Sequence, residues 1–461
     1  MNLNAYISGF DSTNQLNAIL SLEKESYINI KEWLVDSHTS VTHNTSKWWW
    51  DIILSEKFKN ECFISEDDIK FIEYHKRDFF QHLVREKLFE RSSIFDLDHA
   101  VFKLFLYFKN CLLNNDIKVV LFSDIPHGAY NYILYLTAKH LSIKTLFMFS
   151  SFWEDTSYIC ENISDIGEFD ILSNSEYPIK KEFEKDLPYM VIESRWRKFQ
   201  RKLKDAFNIQ KLSSKIQHRQ RRYFMYRKYI GHYLLLNICR NIDRYRNTLL
   251  YKKSCELHLS RNFDLTQNFV YFALHLQPEM TTDTLGGRYY DQCLAIKLLR
   301  QMIPDNWIIA VKENPKQTWY MRSPEFFNRL SSIPNLIFLD RSINTYDLIR
   351  HSKFVATISG TVGWEAITGG KQALVFGTAW YRKLPGVCTY RENLTVQDIL
   401  SKKIDHKLIC QCAQNLRNTG YLFTANIDII SRKKNFDTKN NLVSMKRAWI
   451  DKLKRVFISY D

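Results

Sequence analysis

Short apolar runs alternate with helical patterns in two parts of the chain. The first alternation starts with IKVVLFSDIPH, an apolar and β-branched run that ends in a polar turn. A helical pattern over 130–141 and a second apolar run over 143–149 follow it. Apolar runs of this length bounded by turn residues are typical of buried strands, so this stretch predicts a β-turn-α-β unit.

The same alternation restarts near residue 265. NFVYFALHLQPE predicts a strand that ends in polar residues, and a helix is predicted over 291–302 before the strands WIIAVKENP and LIFLD. A helix from about 344, then FVATISGTVGWEAITGG and QALVFGTAWY, continue the series. Alternating elements of this kind indicate a parallel sheet with helices on both faces. Residues 1–115 are predicted to be mostly helical, and the tryptophans at 48–50 are predicted to be core residues.

A length of 461 residues exceeds one ordinary domain and favours two domains with a cleft between them. We predict an N-terminal Rossmann-like domain with a helical N-terminal part (1–190) and a basic amphipathic helical segment (191–260). A C-terminal Rossmann-like domain (261–425) and a C-terminal helical tail (426–461) follow.

No apolar run reaches the roughly 18–20 residues that a membrane helix needs, and the N-terminus lacks the features of a secretory signal. We therefore expect a cytoplasmic protein. The nine cysteines form no CxxC pair, which indicates free thiols rather than a zinc site.

Most of the net charge of +15 lies in one part of the chain. Between residues 195 and 253 there are eighteen Lys or Arg and two acids, and aromatic residues recur there at three- and four-residue spacings. A helix with an aromatic stripe beside a basic face can lie on an anionic lipid surface, although the same stripe can pack on the protein itself. We expect peripheral association with the inner membrane through Arg195, Arg197, Lys198, Arg201, Lys202, Arg221 and Arg222.

Three segments at predicted strand ends contain groups suited to bind or transform a ligand. SGTVGWEA places small residues between a strand and a helix, where free backbone N–H groups suit a phosphate, although a plain N-cap has the same composition. In VKENP, Lys312 could supply positive charge to a phosphate. The alternative interpretation is that Lys312 and Glu313 form an ordinary solvated ion pair. HLQPEMTTD contains His275, Glu279 and Asp283, which could act as acid, base or nucleophile. The alternative interpretation is that the two carboxylates are ordinary solvated loop residues. In the first unit, Asp124 and His127 follow a strand and are expected to face the cleft.

In this order and at these separations, HLQPEMTTDTLGG, VKENP, SGTVGWEA and LVFGTAWY resemble the bacterial capsule polysaccharide biosynthesis family. That family includes the retaining β-Kdo transferases of capsule and lipopolysaccharide assembly. SDIPH with YILYLTAKHL resembles the N-terminal half of its smaller members. The resemblance covers residues 117–150 and 265–390 and implies an α/β, GT-B-like fold, in which two Rossmann-like domains face each other. Here a basic helical segment lies between them.

The resemblance also implies where ligands bind. The donor nucleotide belongs in the C-terminal domain and the acceptor along the N-terminal one, without a metal and without a cofactor. Lys312, Ser359, Thr361 and Glu365 would hold the nucleotide of a CMP-activated ulosonic sugar such as Kdo. The neighbouring phosphate-binding positions are Gly360, Asn314 and Pro315. Several relatives have a His-Pro pair where this chain has Asn314-Pro315. Because Asn carries no charge, stabilisation of the departing phosphate would depend more on Lys312 and on the N–H groups at the helix N-terminus.

The retaining members are expected to use a carboxylate nucleophile in the loop after the first strand of the C-terminal domain. Glu279 and Asp283 both lie in that loop, in a Q-P-E-x-x-x-D spacing that differs from the Q-x-x-x-D of larger capsule enzymes, so both remain candidates. His275 and His127 are candidate acid/base or acceptor-orienting groups. Asp124 and Gln277 are candidate acceptor or cleft residues.

The sequence leaves several functions open. The preferred one is transfer of Kdo or a related ulosonic acid to a surface polysaccharide or its lipid-linked precursor. A GT-B transferase with another nucleotide-sugar donor is the nearest alternative. A non-catalytic glycan-assembly protein at the membrane is a third. A nucleic-acid partner ranks lowest, because the basic segment shows no zinc-finger, RRM or KH pattern.

Overall fold

The computed structural model describes residues 1–35, 43, 45–54, 63–86, 89, 92–168, 233–426, 429–430, 433 and 435–458. They form two sheets, each with its own helices. The first sheet has the strand order β3-β2-β1-β4-β5-β6, in which β6 is antiparallel to β5 and the other pairs are parallel. Its strands are β1 Leu3–Ser8, β2 Ile28–Val35, β3 Ser46–Trp48, β4 Val119–Phe122, β5 Lys144–Ser150 and β6 Ser157–Cys160.

Five of the described helices lie between or beside these strands in the chain: α1 Thr13–Lys24, α2 Trp49–Leu54, α3 Glu66–Leu83, α4 Ile94–Asn114 and α5 Ala129–His140. Four of these helices lie within residues 1–115, which were predicted to be mostly helical, but the prediction missed three parallel strands in the first 48 residues, of which β1 is central in the sheet. The predicted β-turn-α-β unit is confirmed as β4, α5 and β5. Trp49 is buried and stacks on Tyr130 at 5.1 Å between ring centroids, as expected of a core residue.

The second sheet is parallel throughout and has the order β13-β12-β11-β8-β9-β10-β7. Its strands are β7 Leu259–Ser260, β8 Phe269–Ala273, β9 Ile308–Lys312, β10 Leu336–Leu339, β11 Val355–Thr357, β12 Ala373–Val375 and β13 Val387–Thr389. The strands β8, β9 and β11 are almost entirely buried. This burial explains their continuous apolar sequences, because helices cover both faces of a parallel sheet.

The remaining helices are α6 Tyr233–His258, α7 Met280–Asp283, α8 Gln292–Met302, α9 Pro324–Ser331, α10 Thr345–His351, α11 Val362–Thr368, α12 Val396–Leu400, α13 His406–Asn418 and α14 Thr438–Phe457. The predicted helices over 291–302 and from 344 are confirmed as α8 and α10. The last helix, α14, returns to the first domain, where Trp449 lies 5.8 Å from Phe10 between ring centroids. Residues that precede it also join that domain, since Ser157 and Tyr421 exchange backbone hydrogen bonds.

Each sheet has a point where the strand order reverses, and ligands of open α/β sheets bind outside the strand ends at such points. In the first sheet this point lies between β1 and β4. Gly9 there has a φ of 80°, and a Cβ atom on it would lie 2.1 Å from Ser123 Oγ, so only glycine fits. In the second sheet the reversal lies between β8 and β11, so the segments after these strands define the candidate site.

Candidate functional site

The turn after β11 is closely tied to the loop after β8. The Ser359 hydroxyl donates to the Thr281 carbonyl oxygen, and the Tyr381 hydroxyl donates to the Gly360 carbonyl oxygen. A Cβ atom on Gly360 would lie 2.8 Å from His275 Nε2, which explains the glycine. Thr361 directly precedes α11, at the N-cap position, but its side chain makes no capping hydrogen bond, so a plain N-cap does not explain this residue.

His275 is buried between these two segments. Its Nε2 lies 2.7 Å from Thr357 Oγ1 and accepts a hydrogen bond from the Ser359 N–H at 3.4 Å. Burial, together with the positive charge of Arg322, lowers the pKa of the imidazole to about 3. The ring is therefore neutral and joins the loop after β8 to the turn after β11.

The two candidate carboxylates differ in their access to solvent. The Asp283 side chain has an exposed fraction of 0%, whereas Glu279 is half-buried. Asp283 Oδ2 accepts a hydrogen bond from the Glu279 N–H at 3.2 Å, and Asp283 Oδ1 lies 3.4 Å from Gln277 Nε2. Asp283 thus holds the backbone of α7 at its start, and Glu279 is the carboxylate of the two that is partly accessible to solvent.

The electrostatic surroundings raise the pKa of both acids. Burial is the main cause for each, and for Glu279 the neighbouring Asp283 adds to the increase. The charges of His127 and Arg85 lower the pKa of Glu279, and the charge of Arg85 lowers that of Asp283, but burial outweighs them. Residues of both domains therefore influence the same pair of carboxylates.

The first domain contributes the loop after β4 to this group. His127 Nδ1 lies 2.7 Å from the Ile125 carbonyl oxygen, which orients the ring, and Asp124 Oδ1 accepts from the Ile125 N–H at 2.8 Å. Asp124 is exposed. The charge of His127 acts on Glu279 and lowers its pKa, so this loop of the first domain lies near the loop after β8.

Arg85 follows α3 and was missed by the sequence analysis. Its Nη1 lies 3.1 Å from the His127 carbonyl oxygen and 3.3 Å from Asp283 Oδ2. No sequence signal marks this arginine, because it follows an amphipathic helix and lies about two hundred positions from its acidic partner.

A buried polar network supports the loop after β8. Gln277 accepts from Gln292 Nε2 at 2.6 Å and from Arg322 Nη1 at 2.9 Å. Arg322 also forms a buried ion pair with Glu313, with Nε to Oε2 at 2.8 Å. The structure therefore places Gln277 in the framework beneath the loop rather than on an open surface.

Lys312 and Glu313 do not form the solvated pair that was one interpretation of VKENP. Both are buried, and Lys312 Nζ donates to the Ile343 carbonyl oxygen and to Thr345 Oγ1, the latter at 2.9 Å. Burial lowers the pKa of Lys312 to about 8. Asn314 Oδ1 accepts from the Lys316 N–H at 2.9 Å, and Pro315 is exposed.

Glu365 is the least satisfied charged group near the turn. The residue is buried, and its Oε1 has no hydrogen-bond partner in the described part of the chain. Burial raises the pKa of this carboxyl to about 7. Because buried polar atoms are nearly always paired, an unpaired carboxylate oxygen indicates a place for a ligand donor.

The predicted membrane-surface residues lie outside the described residues: Arg195, Arg197, Lys198, Arg201, Lys202, Arg221 and Arg222. Among the helices that are described, none combines the length and apolar character needed to cross a membrane. Within the same ranges, no three His, Cys, Asp or Glu side chains are grouped so as to hold a metal ion.

Two parallel-sheet α/β domains, with their strand-end loops joined across a cleft, define a GT-B-like protein. The chain belongs to the family described as capsule polysaccharide biosynthesis protein, whose model matches residues 169–415. No curated protein matches the chain.

Solved structures similar to the chain include two structures of KpsC from Thermosulfurimonas dismutans. The β-Kdo 2,7 transferase is 9% identical over 96% of this chain and 99% of that one, with a TM-score of 0.34. The β-Kdo 2,4 transferase is 12% identical over 64% of this chain and 79% of that one, with a TM-score of 0.30. A UDP-GlcNAc 2-epimerase from Methanocaldococcus jannaschii is 10% identical over 99% of this chain and 100% of that one, with a TM-score of 0.21.

Proposed function

We propose that the protein is a GT-B glycosyltransferase of capsule assembly that transfers Kdo or a related ulosonic acid from a CMP donor. The acceptor is a bacterial surface polysaccharide or its lipid-linked precursor. The observation that carries the proposal is the group of Glu279 and Asp283 with His127 and Arg85 between the two domains. Family membership supports capsule assembly as the process.

In this proposal Glu279 is the nucleophile, because it is the accessible member of the carboxylate pair. Its carboxylate oxygen forms a bond to the anomeric carbon while the bond from that carbon to the phosphate oxygen breaks, and CMP leaves with the electron pair. An acceptor hydroxyl then displaces Glu279, and His127 takes the hydroxyl proton. Two displacements give net retention at the anomeric carbon.

The other predicted residues have distinct parts in the proposal. The unpaired Oε1 of Glu365 accepts a hydrogen bond from a ribose hydroxyl. The phosphate lies beside Thr361 and the backbone of Gly360. Lys312 contributes positive charge to the leaving group, and Asn314 and Pro315 form the adjacent turn. Asp283, Gln277 and His275 position the reacting loop, and Asp124 contacts the acceptor. No metal or cofactor takes part.

The test is a calorimetric titration with CMP, UDP and GDP in EDTA. We expect CMP alone to bind, and Glu365→Gln and Lys312→Met to weaken that binding about 10-fold or more, since each removes a charged partner of the ligand. Lys353→Met, which changes an exposed lysine of the same domain, is the matched control and should bind CMP normally.

The alternatives predict different titrations. Selective binding of UDP or GDP would replace the CMP donor with another nucleotide sugar. Failure of every nucleotide to bind would instead favour the non-catalytic assembly protein.

We also propose that the protein lies on an anionic membrane surface, where a lipid-linked acceptor would be found. The described helix α6 supports this, because Ile238, Ile242, Tyr245 and Leu249 are exposed at three- and four-residue spacings. Arg244 and Arg246 lie on the same helix. An exposed apolar stripe with basic residues beside it is suited to the lipid headgroup region.

A further inference from the structure

The end of α3 is the part of the first domain that reaches the reacting loop of the second. His82 Nε2 lies 3.2 Å from Thr284 Oγ1, and the Val84 carbonyl oxygen accepts from the Tyr320 hydroxyl at 2.8 Å. These contacts fix the position of the next residue, Arg85. The guanidinium of Arg85 is therefore held at the junction by the packing of α3.

A single nitrogen of Arg85 contacts both sides of the cleft. Nη1 lies 3.1 Å from the carbonyl oxygen of His127 in the first domain and 3.3 Å from Oδ2 of Asp283 in the second. The same Oδ2 accepts from the Glu279 N–H at 3.2 Å. A continuous path of contacts thus runs from the loop carrying His127 to the backbone of Glu279.

We infer that Arg85 is a positioning residue that couples the apposition of the two domains to the placement and charge of the Glu279–Asp283 pair. The inference rests on the proposed function and names a residue that neither the family motif nor the sequence pattern assigned. When the domains separate, Asp283 loses its cation, and the carboxylate that accepts from the Glu279 N–H is left buried without an opposing charge. The reacting loop is therefore complete only when the domains are together.

Charge accounts for the choice of arginine at this position. Asp283 is fully buried, and a buried carboxylate stays ionised only when it is paired and hydrogen-bonded. The ionisable groups that face the pair are Arg85, His127 and Lys316. His82, beside Arg85, is neutral because burial lowers its pKa to about 4. Arg85 is the cation whose contact with Asp283 is direct.

The test compares Arg85→Ala and Arg85→Lys with the wild-type full chain. We expect Arg85→Ala to lower kcat for CMP release from CMP-Kdo about 100-fold, because a misplaced reacting group has an effect of that size. CMP affinity should stay within about 3-fold of wild type, since Arg85 does not touch the nucleotide site. The acid limb of the pH profile should move to higher pH in Arg85→Ala and return toward wild type in Arg85→Lys.

Arg382→Ala is the matched control. Arg382 pairs with Glu168 at 2.5 Å, and its side chain is 15% exposed against 17% for Arg85, but it lies away from the carboxylate pair. Its removal should leave the pH profile unchanged. An unmoved pH profile in Arg85→Ala, or equal effects of Ala and Lys, would overturn the inference.

A thermal measurement separates this inference from the proposed function. Arg85→Ala should lower the Tm more in the wild-type background than in Asp283→Asn, because the ion pair exists only in the former. Equal decreases in both backgrounds would refute the coupling whatever the activity. If the wild type neither binds CMP nor releases it from CMP-Kdo, the transferase proposal fails, while the thermal comparison still decides whether Arg85 and Asp283 are coupled.

Discussion

Individual side chains near the site acquire their chemistry from burial. Lys312 and Glu313 are adjacent in sequence, yet consecutive side chains at a strand end point in opposite directions. One therefore reaches Thr345 and the other Arg322, so the pair suggested by their adjacency does not form. Glu365 has a residue type and position that the sequence indicated, but its isolation from partners depends on the packing around α11.

The pKa of Glu365 leads to a prediction about stability. Between the ordinary glutamate pKa and about 7, the folded protein keeps a proton that the unfolded chain has released, so stability decreases as pH rises. At pH 8 the full penalty is present, at most about 3 kcal/mol. We expect Glu365→Gln to raise the Tm at pH 8 and to change it little at pH 4, as measured by thermal unfolding.

Glu392→Gln removes the charge of an exposed glutamate in the same domain and serves as control. A Tm increase of equal size at both pH values would contradict the burial argument. The same Glu365→Gln change is expected to weaken CMP binding, so a more stable but poorly binding variant would separate ligand binding from folding.

At the scale of elements, the strands of the second domain could be predicted and those of the first 48 residues could not. The second domain has long apolar runs bounded by turns, which reflect burial on both faces. In contrast, β1 begins with partly exposed residues and β3 has only three residues, so neither produces a clear pattern. Short segments of this kind become strands because neighbouring strands complete their hydrogen bonds.

The helix α6 provides the prediction at this scale. Ile242→Asp should reduce co-sedimentation with vesicles containing anionic phosphatidylglycerol about 10-fold or more, because it places a negative charge in the apolar stripe. Vesicles of neutral phosphatidylcholine should bind weakly in every case. Phe95→Asp changes another exposed apolar residue, on α4, and should bind like the wild type. Equal loss in both variants would argue against a membrane role for α6.

At the scale of the whole molecule, the chain crosses between domains more than once. The C-terminal helix α14 was predicted as a tail, but it packs on the first domain, where Trp449 and Phe10 are both fully buried. The Asn441 side chain also exchanges hydrogen bonds with the backbone of Thr424. Helix α14 therefore completes the core that β1 and α1 begin.

Removal of the Trp449 side chain should show this dependence. We expect Trp449→Ala to destabilise the protein by about 3–5 kcal/mol, the usual effect of deleting a buried tryptophan. Val443→Ala, at an exposed position of the same helix, should have little effect. Limited proteolysis should detect easier cleavage of the first domain in Trp449→Ala, and cleavage confined to α14 would contradict a shared core.

The sequence by itself determined the alternating elements of the second domain, the turn from Ser359 to Thr361 and the loop carrying Glu279 and Asp283. These features depend on local pattern, because a buried strand and the polar turn after it are contiguous in the chain. Only the tertiary structure decided that Glu279 is accessible while Asp283 is buried, and that Arg85 and His127 oppose them. Those relations join residues 150 to 200 positions apart. They arise from the packing of two separate domains, which no local spacing in the sequence records.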